Sequence, residues 1–580
     1  MAGVSAPNRV SRRSFLKYAS LGGLAAFGAY SGIVYPTGWQ RWLTWGRKPW
    51  EVDLAVVDYD RVLAAGWGPS ELGFDNEIRD SPLEQRTLNV AQWYDYWPGN
   101  VVDGFASWMA QKWGVTDVEI RWQSNIYTSN EELFTWVTQT GRKFDVMFPT
   151  NYTVETMEKA GIIVNLKKEW IPNILNIFGD IPTSFPAGFR TQRDEYGYWD
   201  PGPDRELNTP DDVWIPTKPT YPGLGDEYGT GHNNRFGVDF RDPNVNGYQY
   251  RMHAATYPSP RGTDFFTWDE DNSLIAVPYQ WGTTGIGYRT DVFRKEDVER
   301  MGWDVFELPT YTNPDRIDPE TNQPMVFDLR KKKMMLDDMR ETFTAALKAV
   351  GWKRQEEAGI PPTATPLKPE APYNGEYQWS NNEVANEKLS AALAWLNSFR
   401  GGSWGFNTPQ QGPWLVSGQI YVDQAWSGDI MYAVQPNSNT FNSVDYFVPK
   451  QGGARWIDNS VIHRECEKLW LAHELINYIH DPIVQAAISS WNLYATPNAW
   501  TFELLYRDPA YIFEGIYPDG RRYEYNMAED ERIYGDIAYD DDVQDAPYDG
   551  PPILTRCEYQ KDVGVRNTLN YFRYWRKAKF

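Results

Sequence analysis

At 580 residues the chain is too long for one ordinary domain, so at least two lobes with sizeable cores are expected. A formal net charge of -22 excludes nucleic acid and anionic membrane surfaces as partners, because both repel it, and leaves cationic ligands open. The 28 Trp and 36 Tyr exclude a disordered chain, while only two cysteines, Cys466 and Cys557, exclude a disulfide framework or a multi-cysteine metal site. A single bridge between them and a pair of buried thiols are both open readings.

Residues 1–37 read as an export address. Ser11-Arg12-Arg13-Ser14-Phe15-Leu16-Lys17 has the S-R-R-x-F-L-K form of a twin-arginine signal, and an apolar small-residue run follows from Tyr18 to about Val34. A chance Arg-Arg before a spanning helix is the other reading, but the run is short and glycine-containing for a span. No cysteine lies near it, so a lipid anchor is not expected; no clean A-x-A site marks a cleavage point. The Trp-rich stretch 38–85 reads as an N-terminal extension.

The first core unit begins at Thr87. A β run at 87–91 leads into the turn Gln92-Trp93-Tyr94-Asp95-Tyr96-Trp97-Pro98-Gly99, and Val101 to Trp113 has amphipathic helical spacing. Strands at 118–122 and 144–148 and helices at 129–140, capped by Ser129, and 152–160 complete a βαβαβ alternation. That order predicts a mostly parallel sheet flanked by helices, with ligands at the loops beyond the strands' carboxyl ends. Those loops carry Trp93-Tyr94-Asp95-Tyr96 and Pro149-Thr150-Asn151-Tyr152, aromatic and polar as a binding mouth would be.

From about Ser184 to Asp271 the periodicity vanishes and Gly, Pro, Asp and Tyr dominate, which reads as an insertion. Asp200, Asp204, Asn208, Asp211 and Asp212 cluster there around a tight turn. They lack regular calcium-loop spacing, so a plain acidic turn is the preferred reading over a metal site. Residues 273–277 and 283–288 read as β segments interrupted by Pro and Gly, suited to a crossover between lobes. A helix from Thr342 to Val350, ended by Gly351, follows Asp338 and Glu341. An Asp with a Glu three residues on fits a capping box, and the same spacing also presents both carboxylates on one face towards a cleft.

Further helices are expected at 381–399, 467–480, 482–491, 499–506 and 566–575, and strands at 418–426, 444–449 and 454–457. Twice in this region a tryptophan precedes an aspartate at short spacing: Trp426 with Asp429, and Trp456 with Asp458. An indole face attracts a cation and a carboxylate supplies its counter-charge and acceptors, so two such units read as a cleft for an organic cation. The plainer reading is a buried tryptophan beside a surface aspartate on an alternating strand. An acidic stretch at 529–549 reads as a solvated loop.

Taken together, N-V-A-Q-W-Y-D-Y-W-P-G (89–99), F-D-V-M-F-P-T-N-Y-T-V-E-T-M (144–157), V-P-Y-Q-W-G-T-T-G-I-G-Y (277–288), L-D-D-M-R-E-T-F (336–343), A-W-S-G-D (425–429), Q-G-G-A-R-W-I-D (451–458), Y-A-T-P-N (494–498) and Q-K-D-V-G (560–564) resemble the extracytoplasmic spermidine/putrescine-binding proteins of ABC importers. The pieces run in family order from about 87 to 575, interrupted near 184–271, 305–330 and 508–550. The resemblance implies an α/β, two-lobed, periplasmic-binding-protein-like (type II) fold, with mixed sheets, flanking helices and a hinge crossover. Lobe 1 would take 86–281 and 456–500, and lobe 2 would take 282–455 and 501–580.

It further implies that Trp93, Tyr94, Asp95 and Tyr96 line one wall, continued by Thr150 and Tyr152. Asp338 and Glu341 would hold an amine from the other lobe. Trp426, Asp429, Trp456 and Asp458 would stack on the ligand chain and pair with its other amine, with Tyr494 and Gln560 completing the box. Thr150 stands where the family often has Ser, and Tyr94 is bulkier than the usual Thr or Ser. The two cysteines would fall near different lobes, where a bridge would restrain closure, which favours free thiols.

The implied partners are a polyamine and a membrane permease, with no nucleic acid, no cofactor, no catalysis and a monomeric state. A polyamine has an aliphatic middle and ammonium groups at fixed separation, so its site needs aromatic walls and a carboxylate at each end. The same fold could serve another small cation or solute, such as thiamine, a betaine or an iron chelate. A glycosidase with paired carboxylates is the enzymatic alternative. Against it, the chain has no G-x-S-x-G, no P-loop and no His pair at metal-ligand spacing among its five histidines.

Overall fold

The structure, a computed structural model, describes residues 86–94, 96–166, 170, 171, 173, 197–200, 213–216, 275–364, 379–434, 443–498, 501, 502, 505, 511–516, 522–535 and 553–580. The export motif, the extension to residue 85 and most of the 184–271 insertion lie outside them.

The chain opens with β1 (Thr87–Trp93), α1 (Gly99–Lys112), β2 (Glu119–Arg121), β3 (Ile126–Tyr127), α2 (Asn130–Thr138), β4 (Val146–Met147) and α3 (Asn151–Lys159). As the alternation predicts, β1 is paired in parallel with β2, β3 and β4, in the registers Leu88↔Ile120, Trp93↔Tyr127 and Val90↔Val146. With helices covering both faces, nearly every residue of β1 is buried, as a central parallel strand requires. Ser129 caps α2 as expected. Its hydroxyl accepts from the Glu132 amide at 3.2 Å, and Glu132 Oε2 accepts from the Thr128 amide at 2.9 Å, so the helix start is held from both sides.

Within the insertion, β5 (Gly197–Asp200) and β6 (Val213–Pro216) form an antiparallel hairpin. The crossover is one unbroken strand, β7 (Val277–Arg289), where two segments had been expected. Its glycines allow close neighbours: a Cβ on Gly285 would stand 2.3 Å from the Phe447 carbonyl. After α4 (Lys295–Met301), the stretch near 305–330 that interrupts the resemblance contains the hairpin β8 (Thr310–Ile317) with β9 (Pro324–Asp328). Then come β10 (Lys333–Met335), α5 (Met339–Glu357), α6 (Asn386–Arg400), β11 (Gly405–Phe406), α7 (Gln411–Val416), β12 (Val422–Trp426), α8 (Ser427–Val434) and β13 (Val444–Phe447).

The helix α5 does not end at Gly351. That glycine lies inside it because the indole of Trp379 packs onto the spot, where a Cβ would meet Trp379 Cβ at 2.3 Å. The last part of the chain holds β14 (Gly453–Ile462), α9 (Leu469–Ile479), α10 (Pro482–Asn492), the β15–β16 hairpin (Phe513–Ile516 with Arg522–Tyr525), α11 (Glu531–Tyr534), β17 (Cys557–Tyr559) and α12 (Val565–Lys579).

The strands join in one mixed sheet of order β11-β10-β12-β7-β14-β4-β1-β2, with β13 and β17 pairing β7 and β14 and with β3 on β1. The sheet is mixed, as the resemblance implies: parallel in the β1–β4 unit, where the alternation predicts it, and antiparallel at its middle. There β7 runs antiparallel to β12, β13 and β14, and β14 antiparallel to β4, because the two long strands carry the chain across and back. The apolar side chains divide likewise. One core gathers Leu88, Val146, Tyr478 and Ile462; a second gathers Trp281, Ile430, Ile457 and Tyr534; a third gathers Ile286, Phe343, Leu396 and Tyr571. Cys466 and Cys557 form no disulfide and lie buried in the first and second cores. Among the described residues no helix is long and apolar enough to cross a membrane.

Candidate binding cleft

Where β1, β12 and β14 meet α5 and α8, a cleft opens. Eleven of the residues singled out in the sequence line it: Trp93, Tyr94, Tyr96, Thr150, Asp338, Glu341, Trp426, Asp429, Trp456, Asp458 and Tyr494.

Asp458 sits at its base, where the β14 register slips between Asp458 and Asn459. Such a bulge re-aims a side chain that a regular strand would place elsewhere. Its Oδ2 accepts from the Tyr96 hydroxyl at 2.5 Å and its Oδ1 from the Thr150 hydroxyl at 2.6 Å. Thr150 is itself held by Asn130, which donates from Nδ2 to the Thr150 hydroxyl at 2.9 Å and accepts from the Thr150 amide at 3.1 Å. Asp458 is only 3% exposed, and burial pushes its carboxyl up to about 7, against the pull of the two hydroxyl donors. A carboxyl in that range ionises fully when a cation arrives beside it.

The walls are aromatic. Trp93 meets Trp426 edge-on at 5.6 Å, Trp426 meets Trp456 at 6.5 Å, and Tyr494 lies 5.1 Å from Trp456 and 5.9 Å from Tyr96. Two glycines make room for this packing. A Cβ on Gly282 would stand 2.8 Å from the Trp456 ring, and one on Gly428 would stand 2.7 Å from both the Tyr494 ring and the Asn492 carbonyl. Asp429, in the first turn of α8, accepts from the Tyr494 hydroxyl at 3.0 Å.

The second acidic group stands at the start of α5. Asp338 is the N-cap, its Oδ1 accepting from the Glu341 amide at 3.0 Å, and it also lines the cleft, so the capping and cleft readings hold together. Glu341 does not complete a reciprocal box through Oε2, which is buried, and the Thr284 side chain beside its carboxyl pulls against the burial. Burial raises Asp338 to about 6; burial and then the Asp338 charge raise Glu341 to about 8.

Two expected residues stand back from the cleft. Tyr152 turns behind the wall, its ring 5.1 Å from the Arg340 guanidinium. Gln560 is buried against α5 and α3, donating to the Thr344 hydroxyl at 3.4 Å, while its main-chain carbonyl accepts from Asn151 at 2.7 Å. Asp95 lies outside the described residues, as do Asp204, Asn208, Asp211 and Asp212; Asp200 ends strand β5. Among the described residues no His, Cys, Asp or Glu group could hold a metal ion. The structure adds Thr128, Asn130, Gln411, Tyr432 and Asn492 to the lining. Only position could have found these polar residues: Thr128 and Asn130 follow a strand's carboxyl end, as Tyr94 does.

No protein-family model matches the chain. It is 23% identical over 310 residues to the spermidine/putrescine-binding periplasmic protein of Salmonella typhimurium, an overlap of 53% of this chain and 65% of that protein. It is 25% identical over 254 residues to the putrescine-binding periplasmic protein PotF of Escherichia coli, covering 43% of this chain and 58% of the relative. The chain therefore matches somewhat under two thirds of these relatives' own length. A solved structure assigned to a spermidine/putrescine ABC transporter of Listeria monocytogenes superposes with a TM-score of 0.50 at 19% identity, over 85% of this chain and 99% of the other. The architecture is thus the two-lobed α/β fold of type II periplasmic binding proteins. In fold and in sequence, this chain is a distant relative of the spermidine/putrescine-binding periplasmic proteins.

Proposed function

We propose that the chain is an extracytoplasmic receptor that captures a polyamine of the putrescine/spermidine class and hands it to the permease of an ABC importer. The observation that carries this reading is Asp458, a carboxyl buried at the base of an aromatic cleft and held by Tyr96 and Thr150. Two acidic groups, Asp458 with Asp429 and Asp338 with Glu341, offer counter-charges to the two ends of an alkyl diamine, and Trp426, Trp456 and Tyr494 offer surface for the methylenes between. Tyr152 and Gln560 support the walls from behind. The lobes, 86–281 with 456–500 and 282–455 with 501–580, close on the ligand by bending β7 and β14, and the permease reads the closed form.

The protein acts as a monomer, by binding and without catalysis. Export follows the twin-arginine motif at Arg12-Arg13, which places the receptor in the periplasm or on the outer face of the cytoplasmic membrane. Calorimetric titration of ligand-stripped protein with putrescine, spermidine and spermine tests the reading. Saturable one-to-one binding of any of them supports it; no binding of all three refutes the polyamine assignment.

A further inference from the structure

Helix α12 (Val565–Lys579) has two unlike faces. Inward, Tyr571, Trp575 and Ala578 are buried in the third core, the Tyr571 hydroxyl donates to the Glu383 carbonyl at 2.7 Å, and Arg400 donates to the Ala578 carbonyl at 3.0 Å. These ties fix the roll of the helix. Outward stand Val565, Leu569 and Phe572, which are 74%, 54% and 38% exposed, together with the exposed Arg566, Arg573, Arg576 and Lys577. At about 3.6 residues per turn all of these positions fall on one side of the helix, apolar and basic interleaved. Three of the eight large apolar side chains exposed among the described residues are gathered here, more than the scatter of single apolar groups that any surface carries.

The charge of this face is opposite to that of the chain. From Val563 to Phe580 there is no Asp or Glu, in a sequence whose net charge is -22. Lys579 pairs with Asp337 at 2.6 Å, whereas Arg566, Arg573, Arg576 and Lys577 have no ion pair among the described residues. Of the carboxylates on adjoining elements, Asp337 is held by Lys579 and Asp562 by Lys159 at 3.1 Å, which leaves Glu387, in the first turn of α6, exposed. The four cations outnumber it. The chain as a whole repels an anionic surface, yet salt confines the reach of each exposed charge to about 8 Å at physiological ionic strength. A bilayer approaching α12 meets this face and not the sum over the whole sequence.

We propose that the outward face of α12 is a docking surface for an anionic phospholipid bilayer. Val565, Leu569 and Phe572 enter the boundary between headgroups and acyl chains, and the Arg and Lys stems reach back to lipid phosphates. A convex helix that mixes bulky apolar and basic side chains suits a fluid surface, which moulds itself to them; a protein partner would need an acidic groove already shaped for it. None of these side chains lines the cleft, so the inference stands whether or not the ligand is a polyamine. For an extracytoplasmic receptor, such docking holds the chain at the surface in which its permease lies.

The test places a bimane dye on Leu569→Cys in the full chain. Cys466 and Cys557 are buried, so the dye goes to the new thiol. The apolar run after Arg12-Arg13 could also bind vesicles, and a dye on α12 reports contact at this face alone. Vesicles of phosphatidylcholine with phosphatidylglycerol should shift the emission to the blue, high salt should reverse the shift, and phosphatidylcholine alone should give little. The same dye on Val326→Cys, exposed on β9, should not respond. Adding Arg573→Gln and Arg576→Gln to the dye-bearing chain should raise the lipid concentration at half-shift about thirtyfold, roughly fivefold per cation, with the unfolding temperature unchanged. No shift at Leu569→Cys, equal shifts at Leu569→Cys and Val326→Cys, equal response to the two lipid compositions, or a midpoint indifferent to the arginines overturns the inference. If Leu569→Cys does not fold, Val565→Cys carries the dye, with the same outcomes deciding.

Discussion

Replacing Asp458 by asparagine separates what its carboxyl does for the ligand from what it costs the fold. The side chain is 3% exposed, and burial carries it from an ordinary value of 3.8 to about 7. That displacement corresponds to about 4 kcal/mol, as an upper bound, against the ionised form in the empty protein. The folded state holds the proton more tightly than the unfolded chain. The corresponding stability is therefore present below about pH 4 and is lost as pH rises through about 7. The amide introduced by Asp458→Asn would keep an acceptor for one of the two hydroxyls, Tyr96 or Thr150, without carrying a charge.

The ligand-free variant should accordingly unfold a few degrees above wild type at pH 8 and should lose the pH dependence. Spermidine binding should collapse, because an ammonium buried without its carboxylate costs roughly 3–5 kcal/mol, about two to four orders of magnitude in Kd. Scanning calorimetry from pH 4 to 8 and titration with spermidine read both effects. Spermidine bound by Asp458→Asn within roughly threefold of wild type would refute the argument that this carboxyl is the counter-charge.

Spermidine affinity of the wild type should climb between pH 6 and 8 as Asp458 gives up its proton at about 7; a flat profile by calorimetry contradicts this. Trp456→Leu, removing the ring 5.1 Å from Tyr494, should weaken binding about tenfold and quench the tryptophan fluorescence change on titration. Gly428→Ala drives a methyl to 2.7 Å from Tyr494 and the Asn492 carbonyl, so it should cost about 1–3 kcal/mol in denaturant unfolding and weaken binding as Tyr494 shifts. Lys348 is buried in an ion pair with Glu558, a carboxylate that also accepts from the Ser380 hydroxyl and the Asn381 amide. Lys348→Met should destabilise by roughly 3–5 kcal/mol, and adding Glu558→Gln should recover much of it in the same unfolding assay.

Local chemistry carried far in this chain. The parallel β1–β4 unit, the Ser129 cap and the aromatic loops after β1 and β4 follow from periodicity and cap residues, which act over a few positions. The Trp–Asp spacings pointed to Trp426, Asp429, Trp456 and Asp458 because an indole beside a carboxylate is a cation site in any fold that brings the two inward. Tertiary structure decided what depends on neighbours distant in sequence. Gly351 reads as a helix stop, yet the helix continues because Trp379 occupies the space a side chain would need.

The sheet turned antiparallel at its centre because β7 and β14, about 170 residues apart, pair with each other, a choice that neither strand's own pattern encodes. Tyr152 shows the same limit, because its place behind the cleft wall is fixed by the guanidinium of Arg340, which only folding brings within reach.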